Sequence, residues 1–393
     1  MVSEKAKAVQ PAATLAMSKL AKDMQAEGID VINLGVGESD FQTPKHIAEA
    51  AISAIESNKT SFYTPTSGVK ELKQAIVNQV AKRYQASIEL KNVTVTTGAK
   101  LSLYVLMQTL LNPNDIVVAA APLWVSYIEQ IKLAGGIVRT IQPKNDELKL
   151  TVDDLEKISD HVKLIIVNSP TNPTGQVYSR QELVELLDWA KNHDTYIILD
   201  EIYGQLVYNG AVFTSGLQIK TLENSRMIIV DGVSKAYAMT GWRIGWTLAS
   251  SEIITVMNKL LDHMTSNPTA VAQYAAIAAL NGDQSSVEVM RLAFEKRLNT
   301  TFDLLNTVPG LQVSTKPQGA FYLFPKVSTE VLLAAGVANT SELSMKILEE
   351  AHVAMPSGEG FGMAGYLRMG YAKEQEVLNE AVRRLTVFFQ QYI

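Results

Sequence analysis

Lys235 follows an apolar run, Met227-Ile228-Ile229-Val230, that reads as a buried strand, and a hydroxyl stands immediately before it at Ser234. A short way on comes Arg243, inside the glycine-flanked segment Gly241-Trp242-Arg243-Ile244-Gly245. A lysine at the rim of a buried sheet is costly unless its amine is used there. The hydroxyl and the guanidinium beside it supply donors for an anionic group such as a phosphate. An aldehyde cofactor that carries a phosphate accounts for all three side chains.

Other pointed residues share the same kind of position. Gly98-Ala99-Lys100 follows the β-branched run Val93-Thr94-Val95-Thr96-Thr97 and opens a helix. Free N–H groups and the helix dipole at such a start favour a phosphate. The turn-rich segment Asn168-Ser169-Pro170-Thr171-Asn172-Pro173-Thr174-Gly175 follows another strand and presents the Asn172 amide. Asp200 closes the strand at 196–200, with Tyr203 one short turn beyond. Open α/β sheets bind ligands beyond the carboxyl ends of their strands. Pyridoxal 5'-phosphate needs this set: a lysine for its aldehyde, a carboxylate for its pyridinium nitrogen, and amides, hydroxyls and an arginine for its phosphate.

The elements that must position these groups alternate along the chain. Helical spacing over 101–111 is followed by a strand at 116–121 and a helix at 125–133. A strand at 162–168 precedes a helix at 183–191, which Ser179 and Glu182 open as a capping box. Strands at 196–200 and 227–230 complete the alternation, which implies an α/β layer with a mostly parallel sheet. From about residue 285 the character changes. A long charged amphipathic helix over 287–308 gives way to short strands at 311–314 and 320–324. The expected organisation is a large domain over 45–285, and a smaller α+β domain formed by 286–393 with an N-terminal arm over 1–44.

Composition narrows the function class. At 393 residues, 47% hydrophobic and 19% charged, the chain is of ordinary globular make-up. Its net charge of -5 recommends neither nucleic acid nor an acidic membrane as partner. Five histidines and no cysteine leave little for a zinc or iron–sulfur site. No apolar run has the length of a membrane span, and the polar start lacks a signal-peptide core, so a cytoplasmic location is expected. Gly35-Val36-Gly37 begins like a dinucleotide fingerprint, but the third glycine is missing and Thr43-Pro44 follows. That argues against a nicotinamide oxidoreductase.

Taken together, the motifs resemble the class I aminotransferases of pyridoxal phosphate fold type I over essentially the whole chain, and most of all the bacterial aspartate aminotransferase subgroup. The resemblance is carried by Gly37-Glu38-Ser39-Asp40-Phe41, Tyr63, Gly98-Ala99-Lys100, Trp124-Val125-Ser126-Tyr127, Asn172-Pro173-Thr174-Gly175, Asp200-Glu201-Ile202-Tyr203, Ser234-Lys235, Gly241 to Gly245 and Arg368. It implies that Lys235 joins the cofactor as a Schiff base and later moves the substrate proton, while Asp200 pairs with the ring nitrogen. It implies that Tyr203 and Asn172 bond the ring's phenolic oxygen and that Trp124 stacks on the ring. Gly98, Ala99, Ser234 and Arg243 would hold the phosphate beside Lys100, with Tyr63 reaching it from the second subunit of a homodimer. Arg368 would pair with the substrate α-carboxylate, helped by Asn172 and the backbone at Gly37.

The same resemblance implies a ping-pong transfer from an amino acid, aspartate first, to a 2-oxo acid such as 2-oxoglutarate or oxaloacetate. Lys100 and Thr14 would read the distal carboxylate. Ala12 stands where the subgroup carries a serine donor, a departure that loosens the preference for acidic side chains. An aromatic amino acid or prephenate aminotransferase is therefore the alternative, with a β-lyase behind it. A regulator built on this fold carries a helix-turn-helix domain upstream, for which residues 1–30 are too short.

Overall fold

The computed structural model describes residues 2–11, 13–223 and 225–393, without the side chains of Lys5, Ala13 and Thr14. A seven-stranded sheet forms its centre: β1 (Val93–Thr97), β2 (Ile116–Ala120), β3 (Ile137–Ile141), β4 (Val162–Asn168), β5 (Tyr196–Asp200), β6 (Met227–Gly232) and β7 (Ile244–Leu248). Their order across the sheet is β1-β7-β6-β5-β4-β2-β3. Pairing is parallel from β6 through β3, whereas β7 runs antiparallel to both β1 and β6. The mostly parallel α/β layer implied by the alternation is present.

Side chains leave each strand to opposite faces, and here both faces are buried. Ile165 and Val167 of β4 enter one core with Ile197 and Leu199 of β5 and Ile229 of β6. Leu164, Ile166, Ile198, Ile228 and Val230 enter the other. Burial on both sides is why these strands read as unbroken apolar runs. Between β4 and β5 lies the helix Arg180–Asn192, whose Ser179 side chain accepts from the Glu182 N–H in the expected capping box. Loss of such a cap costs about 1 kcal/mol.

The sequence reading misses two of the seven strands. β3, Ile-Val-Arg-Thr-Ile, is the sheet edge and is largely exposed, so it carries no apolar run to read. β7 is hidden inside the Arg243 motif. Arg243 itself has φ +58, a left-handed turn that reverses the chain into β7.

Beyond the sheet, a third core joins Ile32, Leu34 and Tyr203 to residues of the C-terminal segment, including Phe294, Phe321, Leu367 and Phe389. The N-terminal strand Ile32–Asn33 pairs in parallel with Val353–Ala354. Tyr322–Leu323 pairs antiparallel with Met369–Gly370. The charged helix spans Ser285–Leu305, and the strands after it shrink to Leu311–Gln312 and Tyr322–Leu323. Two helices matter for the site: α1 (Ala13–Ala26) at the N-terminus and α2 (Ala99–Leu110) after β1.

Candidate active site

Asp200 is the last residue of β5 and is 4% exposed. Its Oδ2 accepts from the Tyr127 hydroxyl at 2.6 Å and its Oδ1 from the Ile202 N–H at 3.2 Å. Burial raises the carboxyl above its ordinary range, and these bonds, with the charge of Lys235, only partly offset it. A buried carboxylate of this kind is suited to a cationic group brought into the cavity.

Lys235 lies just past the end of β6 and sends its Nζ to the Gly37 carbonyl at 2.5 Å. The amine is 5.5 Å from the ring centroids of both Tyr203 and Phe321. Burial pushes its pKa down to about 8, and the charges of Arg368 and Arg243 act in the same direction against Glu38 and Asp200. A substantial neutral fraction near physiological pH suits an amine that attacks an aldehyde or takes up a proton.

Reversed β7 brings an anion cradle to the same rim. Register between β1 and β7 sets Thr97 opposite Ile244, so Arg243 meets Gly98 at the start of α2. Gly98 has φ +80, and a Cβ there would lie 2.4 Å from Arg243 Nη2. A Cβ on Gly245 would lie 2.2 Å from the Ala99 nitrogen. Only glycine permits either approach. The helix start, the guanidinium and the buried Ser234 hydroxyl are donors whose chemistry suits an anion such as a phosphate.

Arg368 is 3% exposed. Its Nη1 donates to Asn172 Oδ1 at 3.2 Å and its Nη2 to the Gly35 carbonyl at 2.6 Å. Its buried Nε has no partner among the described residues. A guanidinium in the wall of the cavity suits a carboxylate brought into it. The backbone carbonyl that steadies Arg368 belongs to Gly35, while that of Gly37 takes the Lys235 amine. Asn172 is itself held by its N–H to Asn168 Oδ1 at 2.7 Å, and Asn168 Nδ2 donates to the Asp200 carbonyl at 2.9 Å.

A cavity of about 480 Å³ gathers these groups. Gly37, Ala99, Lys100, Trp124, Asn172 and Asp200 line it, as do Tyr203, Ser234, Lys235, Arg243 and Arg368. Gly98 stands behind the lining, against Arg243. Lys100 Nζ lies 4.9 Å from the Trp124 ring centroid, and burial lowers its pKa, with Arg243 adding to the effect. Trp124 meets Tyr127 edge to face at 5.3 Å. Helix α1 closes one side with Leu15, Ser18 and Lys22. Tyr63 is not part of this cavity: its side chain is 92% exposed. Ala12 and the Thr14 side chain lie outside the described residues. Sequence reasoning assigned no role to Tyr127, Asn168 or Tyr322; a buried aromatic gives no sign in sequence that its hydroxyl has a partner. Among the described residues no cluster of His, Cys, Asp and Glu could hold a metal ion, and no helix is long and apolar enough to cross a membrane.

The family Aminotransferase class I and II matches residues 29–385. The chain is 45% identical over 384 residues to an asparagine–oxo-acid transaminase of Streptococcus mutans, covering 97% of each chain. It is 44% identical over 390 residues to an aspartate aminotransferase of Bacillus sp., covering 99% of each. Among solved structures it is similar to the aspartate aminotransferase of Rhizobium meliloti, with a TM-score of 0.93, 32% identity and 100% of both chains covered. The chain belongs to the class I and II aminotransferases, and its activity is that of an aminotransferase.

Proposed function

We propose that the chain transfers the amino group of aspartate to 2-oxoglutarate on pyridoxal 5'-phosphate anchored at Lys235, in a ping-pong cycle. The donor chemistry fits that cofactor. The Gly98–Arg243 approach and Ser234 form a phosphate cradle, and Asp200 is a buried carboxylate awaiting a cationic ring nitrogen. When bound, the cofactor supplies the electron sink that makes the substrate Cα proton acidic. The protein's own residues do the rest. Arg368 binds the substrate α-carboxylate as a bidentate pair from the cavity wall, with Asn172 fixing the orientation of the guanidinium. Lys235, with its amine near neutrality, takes the Cα proton and returns it on the cofactor side. Trp124 would pack against the ring, and Tyr203 and Asn172 would donate to its phenolic oxygen. Helix α1 and the C-terminal segment exclude water from the cavity.

The observation that carries an acidic donor is that Lys100 and Arg368 both line the cavity that holds Lys235, along with Lys22 and Arg243. An α-carboxylate on one and a distal carboxylate on the other satisfy both. The names of the relatives give aspartate and asparagine as donors, and a charged Lys100 favours the acid over its amide. An aromatic donor or prephenate is the second reading, favoured by apolar Leu15 in the cavity wall. Steady-state kinetics with aspartate, asparagine and phenylalanine against 2-oxoglutarate, and with aspartate against prephenate, decide between them. Aspartate should give the highest kcat/KM; a phenylalanine value above it would overturn the assignment.

A homodimer with shared active sites belongs to the same proposal. Support comes from exposed Ile52, Ile55, Phe62 and Tyr63, large apolar and aromatic side chains close together in the chain. Division into a sheet domain over 45–285 and a smaller unit of 1–44 with 286–393 is likewise proposed, supported by the separate core of the C-terminal segment.

A further inference from the structure

Two buried phenols face each other in the cavity wall, the Tyr203 and Tyr322 hydroxyls, 2.8 Å apart. Each brings one proton, and only one of the two is used between them. If Tyr203 donated to Tyr322, it would have nothing to give a ligand; with the opposite polarity its proton is free. We infer that Tyr322 is a positioning residue that donates to Tyr203 and so turns the Tyr203 proton toward the cofactor's phenolic oxygen. This inference rests on the reading of pyridoxal phosphate at Lys235 given above.

The surroundings of the pair set this polarity. Tyr322 sits under the Arg368 guanidinium, whose carbon is 4.5 Å from its ring centroid. Burial raises both phenols, but the cation draws Tyr322 back toward acidity, which makes it the better donor of the two. Tyr203 also feels Arg368, but the Asp200 carboxylate acts on it in the opposite direction, which makes it the better acceptor of the two. The remaining charged or titratable groups are Lys235, 5.5 Å from the Tyr203 ring, and buried Tyr371, which Tyr322 influences from the same core. Backbone geometry holds the arrangement. Tyr322 pairs with Gly370, two residues past Arg368, so the phenol comes from one strand and the guanidinium from the residue just before its neighbour. Gly37 leaves room for the hydroxyl: a Cβ there would lie 2.3 Å from the Tyr322 oxygen. A hydroxyl that accepts one hydrogen bond becomes a stronger donor in the next, so Tyr322 strengthens the Tyr203 bond as well as directing it.

The test is a pH titration of the visible absorbance of the cofactor-loaded protein, for the wild type, Tyr322→Phe, Tyr203→Phe and the double variant. A donor to the phenolic oxygen stabilises its anionic form, so weakening that donor raises the titration midpoint. Tyr322→Phe keeps the ring beneath Arg368, and thermal melting of the cofactor-free forms verifies that the fold is retained. The expected result is a midpoint raised by about half a pH unit in Tyr322→Phe. Tyr203→Phe should raise it at least as much, and the double variant should match Tyr203→Phe alone. A wild-type midpoint in Tyr322→Phe beside a raised one in Tyr203→Phe overturns the inference and leaves the cofactor reading standing. Fully additive shifts in the double variant also overturn it. No shift in Tyr203→Phe overturns both the role of Tyr203 and the inference built on it. A wild type without cofactor absorbance overturns the underlying reading itself.

Discussion

Burial holds the Lys235 amine near neutrality, and the proposed reading of the donor side chain by Lys100 rests on its place in the same cavity. Replacing Lys235 with Ala should abolish the pH-sensitive visible absorbance of the loaded protein; an unchanged spectrum would remove Lys235 from its assigned role. Lys100→Ala should raise KM for aspartate about tenfold or more, since a charge-assisted bond is lost, and leave KM for phenylalanine nearly unchanged. Equal effects on both donors would show that Lys100 does not read the distal carboxylate. Lys235 and Asp200 stood out in the sequence because polar residues at the ends of apolar strands need a reason to be there, and Asn172 and Arg243 because they sit in turn-rich or glycine-flanked segments nearby. Tyr127, Asn168 and Tyr322 were not. Their side chains act through partners distant in sequence, Asp200 for Tyr127 and Tyr203 for Tyr322, and nothing in a linear pattern reports such pairings.

Strands β4, β5 and β6 were readable because burial on both faces writes an apolar run. β7 was not, yet its reversed direction is what carries Arg243 to Gly98 at the start of α2. Gly245→Ala should therefore damage the cradle without touching any ligand-contacting side chain. Its Cβ would press on the start of α2, and affinity for the cofactor should fall at least tenfold, measured by equilibrium titration of the absorbance. A second element-scale consequence concerns Glu201, one residue past β5 and buried behind Asp200. Burial raises its pKa to about 8, despite a bond from the Gly216 N–H at 2.9 Å. Between its ordinary value of 4.5 and about 8 the folded protein binds more protons there than the unfolded chain, so stability falls as pH rises through that window. Glu201→Gln should flatten the decline in the Tm of the cofactor-free protein from about pH 5 to about pH 8. Parallel curves for the two proteins would contradict the assignment.

For the whole molecule, Tyr63 separates what one chain contains from what the proposed dimer would complete. With 92% of it exposed, its ring has no function that the single chain explains. Sedimentation should give twice the 43.0 kDa chain mass, and Tyr63→Ala should weaken cofactor retention while leaving that mass unchanged. A monomer that retains the cofactor fully would contradict the shared-site proposal. The most direct test of the account is the visible spectrum of the loaded protein during a half-reaction. Adding aspartate alone should convert the absorbance to that of the cofactor's amino form, and adding 2-oxoglutarate should then restore the starting spectrum. A spectrum indifferent to aspartate but responsive to phenylalanine would contradict the donor assignment, and one indifferent to every amino acid would contradict the site itself.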